Sequence, residues 1–226
     1  MAEPPPASSG LAALPYPPPA KPFRAVRQTL GTWHRVHRID PVSGEYAPDA
    51  FNDSRGGDAR FSPLIDPATG KVIPTIYAAQ TPRGEIAEVV LHDLPMPSAG
   101  YLHDWERDKA STLHLSAVTI GEVELVNLKA TGLRAAGLDV ADLFRSEAPD
   151  YPRTRQWALH IWQQMPTAQG LIWMSVRDNS CPVVMLFGDR VAAAQLRDAG
   201  HSRPITHYEA EVFALLDELG CGIQLS

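Results

Sequence analysis

The sequence predicts a mixed α/β protein with one main domain, because runs of period-two or continuous apolar character recur between segments of helical periodicity. The clearest strand signals lie at residues 33–39 (WHRVHRI), 72–79, 170–176 and 183–187, and the clearest helix signals follow Thr81-Pro82 and His207. With 226 residues and 44% apolar composition, the chain can bury a substantial core, and one domain with a tail is the simplest partition.

The first 22 residues hold eight prolines interleaved with Ala, Ser and Gly. Such a segment favours solvated polyproline II and has little to bury, so residues 1–22 read as a flexible tail and 23–226 as the folded domain. In 33–39, Trp33, Arg35 and His37 fall on one face of a strand and His34, Val36 and Arg38 on the other. Residues 53–57 (DSRGG) read as a loop, and Pro74 suits the beginning of the strand at 72–79.

Thr81 then stands as N-cap, with Pro82 at the first helical position, where its missing N–H costs nothing. Helical spacing carried to about Asp93 places Ile86, Val89 and Val90 on a buried stripe and Glu85, Glu88 and His92 together on another face. Residues 95–109 read as irregular and polar, and the run 103–108 as a solvated loop. Residues 112–128 read as one or two strands broken at Gly121, and 139–144 and 154–165 as helices. Two buried strands, 170–176 and 183–187, meet at a turn over 177–182, and a last helix over 207–219 stops at Gly220.

A net charge of −6 argues against a dedicated nucleic-acid binder, although one or two placed arginines suffice for a small anion. Cys181 and Cys221 are far apart and outside any metal or C-x-x-C spacing, which fits a reducing cytoplasm. No run approaches the roughly 20 apolar residues that span a bilayer, and the first residues lack signal-peptide character. His34, His37, His92, His103 and His114 form no H-E-x-x-H or paired Cys/His pattern, so no metal site is expected.

The stretch richest in chemistry is 58–90, where an Arg60-Phe61-Ser62-Pro63 loop precedes a strand carrying Tyr77 and a helix carrying Glu88. Loops beside strand ends are where small ligands sit in α/β folds. Ser175, between Met174 and Val176, has no adjacent histidine or glycine elbow and does not read as an acyl-transfer nucleophile.

Four segments in order, WHRVHR at 33–38, GGDARFSP at 56–63, IYAAQTPRGEIAEVV at 76–90 and GLIWMSVRDNSCPVVMLF at 170–187, resemble the signature blocks of the RES-domain family of toxins. The resemblance spans roughly residues 30–190, around an insertion at about 95–151. The family's glycine-arginine-tryptophan-asparagine core stands here as Asp58-Ala59-Arg60-Phe61-Ser62. The family arginine, glutamate and serine match Arg35 (with Arg38 as fallback), Glu88 and Ser175, and its tyrosine matches Tyr77.

The resemblance implies an ADP-ribosyltransferase-like fold with a central cleft between small mixed sheets flanked by helices. It implies NAD⁺ as substrate, cleavage of the nicotinamide–ribose bond, and transfer of ADP-ribose to a protein, to water or to phosphate. It also implies an antitoxin partner with a helix-turn-helix segment that blocks the cleft. In that setting Glu88 faces the growing positive charge of the ribose or accepts a hydrogen bond from a ribose hydroxyl, Arg35 grips pyrophosphate or ribose oxygens, and Tyr77 stacks on nicotinamide or adenine with its hydroxyl near the ribose. Ser175 orients Glu88 or the ribose, and Arg60 and Ser62 add contacts to the dinucleotide. The alternative is a cleft that binds a nucleotide or partner without turning it over.

Overall fold

The computed structural model describes residues 22–39, 47–92, 94–95, 98–144 and 150–226. The proline-rich residues 1–21 and the expected helix end at Asp93 lie outside them. The order is β1 (Ala25–Arg38), β2 (Leu64–Ile65), β3 (Val72–Ile73), β4 (Thr75–Ala79), α1 (Pro82–Glu85), β5 (Leu102–Trp105), α2 (Arg107–Ser111) and β6 (Leu113–Asn127). Then come α3 (Ala130–Ala135), α4 (Val140–Phe144), α5 (Tyr151–Gln164), β7 (Gly170–Met174), β8 (Pro182–Phe187), β9 (Leu196–Pro204), α6 (Glu209–Glu218) and β10 (Gly222–Leu225).

The result is an α+β fold: a mixed six-stranded sheet in the order β1-β4-β8-β7-β6-β9, flanked by helices. β1 also pairs with β6, so β1, β4, β8, β7 and β6 form a closed circuit. The long seam of that circuit is β1–β6, antiparallel from Ala25↔Val126 to Arg38↔Leu113. β6 runs unbroken through Gly121. The ladder's one gap falls opposite it at Leu30, beside Gly31 at φ 74°, so the pair bends there and does not end. The expected insertion at 95–151 therefore holds the strand on which β1, β7 and β9 are all assembled.

Period-two alternation sorts the sheet's side chains into two cores. Ile76 and Ala78 of β4, Ile172 of β7 and Val184 and Leu186 of β8 join Trp33, Val118 and Leu125 in one cluster. Their neighbours Leu171, Trp173, Val183, Met185 and Phe187 face the other way, into a cluster closed by Leu133, Leu143, Phe144 and Trp157 of the helices. Both faces of β7 and β8 are thus covered, which is why these strands read as continuous apolar runs. A third cluster packs Val36 and Leu115 against Ile86, Leu91 and the α6 residues Val212, Leu215 and Leu216.

Several expected elements differ. Residues 95–109 are not irregular throughout: β5 pairs in parallel with β10, and α2 follows. Pro74 separates β3 from β4 instead of opening one strand. Among the described residues no helix is long and apolar enough to cross a membrane.

The helix after β4 departs most. Thr81 caps it as expected, accepting from Gly84 N at 3.0 Å, with Pro82 behind the cap. After one α turn it widens into a π-helical turn, Ile86–Val90, with Leu91 N donating to Ile86 O. The wider turn rotates the faces: Ile86, Ala87 and Leu91 are buried, while Val89, expected in the buried stripe, is 38% exposed. Glu85, on the face expected to carry Glu88 and His92, is itself buried.

Gly84 lets this helix start press against the beginning of β8, since a β-carbon there would lie 2.2 Å from Cys181 Sγ and 2.6 Å from Cys181 Cβ. In an open helix Gly→Ala stabilises by about 1 kcal/mol. Here the sign reverses: Gly84→Ala should lower stability by about 1–3 kcal/mol in urea unfolding, as overpacked sites do. An unchanged or raised midpoint would show that this contact yields freely.

Candidate active site

β1 and β4 meet at a single residue pair, His34↔Ala79, and then part. Between the diverging strands opens a cavity of about 410 Å³. Arg35 and Val36 of β1 form one wall, and Thr75, Ile76 and Tyr77 of β4 the facing one. Asn52, residues 56–60 and Ser62 lie along its rim, and Glu85, Glu88 and His92 come from the helix after β4. Val89, Tyr151, Trp173, Val176, Arg177 and Val183 complete the lining. The expected cleft between small sheets is thus a cleft at the loosest seam of one sheet.

Glu88 is the best-anchored group in it. Its Oε1 accepts from Ser175 Oγ at 2.5 Å, from Val176 N at 2.7 Å and from Arg177 N at 3.3 Å, and Oε2 receives none of these. Ser175, 1% exposed, sits behind Glu88 and outside the cavity lining. Its hydroxyl gives its one proton to Glu88 and accepts from Arg177 N at 3.2 Å and Asp178 N at 2.8 Å, which uses its donor and both lone pairs. A hydroxyl committed in this way holds a carboxylate in place; it is not poised to attack. The turn that supplies the N–H groups is fixed in turn by Arg177, whose guanidinium donates to Leu94 O at 2.7 Å and to His92 O.

Arg35 reaches back to the carbonyls of Pro48 and Ala50, at 2.8 and 2.6 Å. Burial lowers its guanidinium to about 10, partly offset by Glu85 and Asp49, so it stays charged at neutral pH. Arg38 is exposed at the strand end and does not line the cavity. Arg60 lies over the rings of Tyr151 and Phe144, 5.2 and 5.7 Å from their centroids, and donates to Leu143 O at 3.2 Å. Burial lowers its guanidinium, with Tyr151, Glu88 and Tyr77 opposing that shift. Tyr77 OH donates to Ser62 Oγ at 3.1 Å, and burial holds this phenol far above the ordinary range.

Five of the six expected residues, Arg35, Arg60, Ser62, Tyr77 and Glu88, therefore line one cavity, and Ser175 anchors the fifth. Sequence reasoning missed Glu85, Arg177, Tyr151 and Trp173. Arg177 stands in the same block as Ser175, two residues on, and that proximity was its only signal. Tyr151 begins α5, and its hydroxyl lies 3.1 Å from His92 Nε2. α5 also holds the 56–62 loop: Thr154 Oγ1 donates to Arg60 O, and Arg155 Nη1 to Asp58 Oδ1 at 2.8 Å. Among the described residues no group of three His, Cys, Asp or Glu could hold a metal ion.

A mixed sheet that closes on itself and leaves a carboxylate-lined cleft where β1 and β4 part defines an α+β protein with a candidate ligand site. The chain belongs to the RES-domain family, whose profile matches residues 32–207. Among solved structures it is similar to a chain in the crystal structure of the M. tuberculosis MbcT–MbcA toxin–antitoxin complex. That likeness has 16% identity over 83% of this chain and 91% of that one and a TM-score of 0.54, which shows a shared fold. No curated protein matches.

Burial, with Glu88 adding to it, raises the Glu85 carboxyl from an ordinary 4.5 to about 8, opposed by Arg35 and by backbone N–H groups of Val36 and Ala79. The unfolded chain loses this proton near the ordinary value and the folded chain near the raised one. Between them the folded state carries the extra proton, so this group's contribution to stability falls as pH rises. Glu85→Gln should therefore gain stability relative to the parent between about pH 5.5 and about pH 8, measured by chemical unfolding at each pH. Parallel pH profiles for the two proteins would contradict the assignment.

Proposed function

We propose that the cleft binds NAD⁺ and that the chain cleaves its nicotinamide–ribose bond, as an ADP-ribosyltransferase-like toxin. The observation that carries this reading is the fixed carboxylate of Glu88 in the wall of a cavity that also holds Arg35, Arg60 and Tyr77. As the C–N bond breaks, its electron pair leaves with neutral nicotinamide and the ribose becomes oxocarbenium-like. A carboxylate already oriented by three donors can face that charge without reorganising.

Two arginines suit a dinucleotide's pyrophosphate and ribose oxygens, which a planar fork can grip in pairs. The rings of Tyr77, Trp173 and Tyr151 offer apolar walls for nicotinamide or adenine. The acceptor of ADP-ribose, whether a protein, water or phosphate, supplies an oxygen to the open ribose carbon and loses its proton. The family resemblance gives the partner as an antitoxin with a helix-turn-helix segment that blocks the cleft; that there is an antitoxin at all is supported by the similar structure, itself a toxin–antitoxin complex. The buried free thiols of Cys181 and Cys221 suit a reducing cytoplasm.

The purified chain, incubated with NAD⁺, should release nicotinamide, read by chromatography. Glu88→Gln and Arg35→Ala should each cut kcat/KM by about 100-fold or more while leaving the circular dichroism spectrum unchanged. Mass spectrometry of the products and of total protein distinguishes free ADP-ribose, its phosphate ester and a modified target. Binding of NAD⁺ with no nicotinamide over long incubation would instead favour a non-catalytic cleft.

A further inference from the structure

Where β1 leaves β4, its backbone still has donors to satisfy. In an antiparallel strand every second N–H points out of the same edge, so Val36 faces the side that meets β4 at His34. Continuing the His34↔Ala79 register would set Val36 opposite Tyr77. That ladder is not formed. β4 turns to Asn52, with Asn52 N donating to Thr75 O at 2.8 Å and Thr75 N to Asn52 O at 3.0 Å. Val36 N donates to Oε1 of Glu85 at 2.7 Å.

A carboxyl that is 1% exposed has thus been placed at the parting of two strands, on the helix that follows β4. Leaving a buried N–H unpaired there costs about 1–3 kcal/mol, a strong drive to re-form the ladder and close the gap. The residue before Val36 is Arg35, whose side chain spans to the 48–50 carbonyls from the same stretch of backbone.

We propose that Glu85 is a positioning residue of the cleft: by accepting the Val36 N–H that a continued ladder would give to Tyr77, it props the β1–β4 seam open and fixes Arg35 on the wall facing Tyr77. Glu85 acts through the backbone and through Arg35, and it takes no part in bond breaking. Because the role requires an acceptor oxygen and not a charge, glutamine can perform it and methionine, of similar volume, cannot.

This deepens the NAD⁺ reading and rests on it for the kinetic readout only. The test compares the parent chain with Glu85→Gln and Glu85→Met. Amide hydrogen exchange should show the Val36 N–H protected in the parent, although no strand covers it, and in Glu85→Gln. In Glu85→Met it should exchange about tenfold faster or more, with the rest of the β1–β6 ladder within about threefold. For nicotinamide release, Glu85→Met should raise KM about tenfold with kcat within about threefold, and Glu85→Gln should restore KM. An unprotected Val36 amide in the parent, unchanged exchange in Glu85→Met, or a glutamine variant as impaired as the methionine one would overturn the proposal. A parent chain that releases no nicotinamide would remove the enzymatic reading, and the exchange arm would still decide the role of Glu85.

Discussion

Five strands pair around a closed circuit, and the circuit is held unevenly. The β1–β6 seam is long and interrupted only at Leu30, whereas β1 and β4 share one pair of residues. Every feature of the cleft follows from that asymmetry. The backbone edges released by the parting find other partners: Asn52 on β4, Glu85 on β1. The carbonyls of the loop beyond β1 are taken by Arg35. The opening is thereby stabilised as a shaped cavity instead of collapsing into a ladder.

The chemistry is delivered to that opening by a short covalent path. β4 ends at Ala79, the Thr81 cap turns the chain, and within two turns Glu88 lies against the β7–β8 turn. Three donors then converge on one of its oxygens. A side chain held in this way has little rotamer freedom left to lose when a ligand binds, so in the proposed reaction its interaction with a developing cation would carry little ordering cost. Ser175 and the N–H groups of Val176 and Arg177 are in this sense part of the carboxylate, and Gly84, by letting the helix press on Cys181, sets the distance at which they meet it.

Much of this was legible in the sequence where a residue type has one dominant physical use. Thr81-Pro82 marked a helix start, and β7 and β8 announced burial on both faces by their unbroken apolar runs. The gathering of Tyr77, Glu88 and Ser175 followed from short blocks in a fixed order. What failed did so where local pattern was overridden by tertiary context. Regular helical periodicity put Val89 in the buried stripe, and the π-helical turn that exposes it has no propensity signal. Gly121 looked like a strand break because nothing local shows that Leu30 and Gly31 accommodate the bend across the ladder. β9 is almost wholly exposed, with polar residues on both sides, so it lacks the alternation by which strands are recognised. The span 95–151 reads as an insertion because it lacks the short motifs of the blocks around it, yet it carries β6, which pairs with β1, β7 and β9.

The central claim is that Glu88 stands against a sugar carbon becoming cationic. It is tested most directly by single-turnover release of nicotinamide from NAD⁺ carrying deuterium at the ribose carbon that bears the ring. Loosening of the bonds at that carbon in an oxocarbenium-like transition state predicts slower release from the deuterated substrate. Equal single-turnover rates for the two substrates would contradict bond breaking through such a state, and with it the role assigned to the carboxylate.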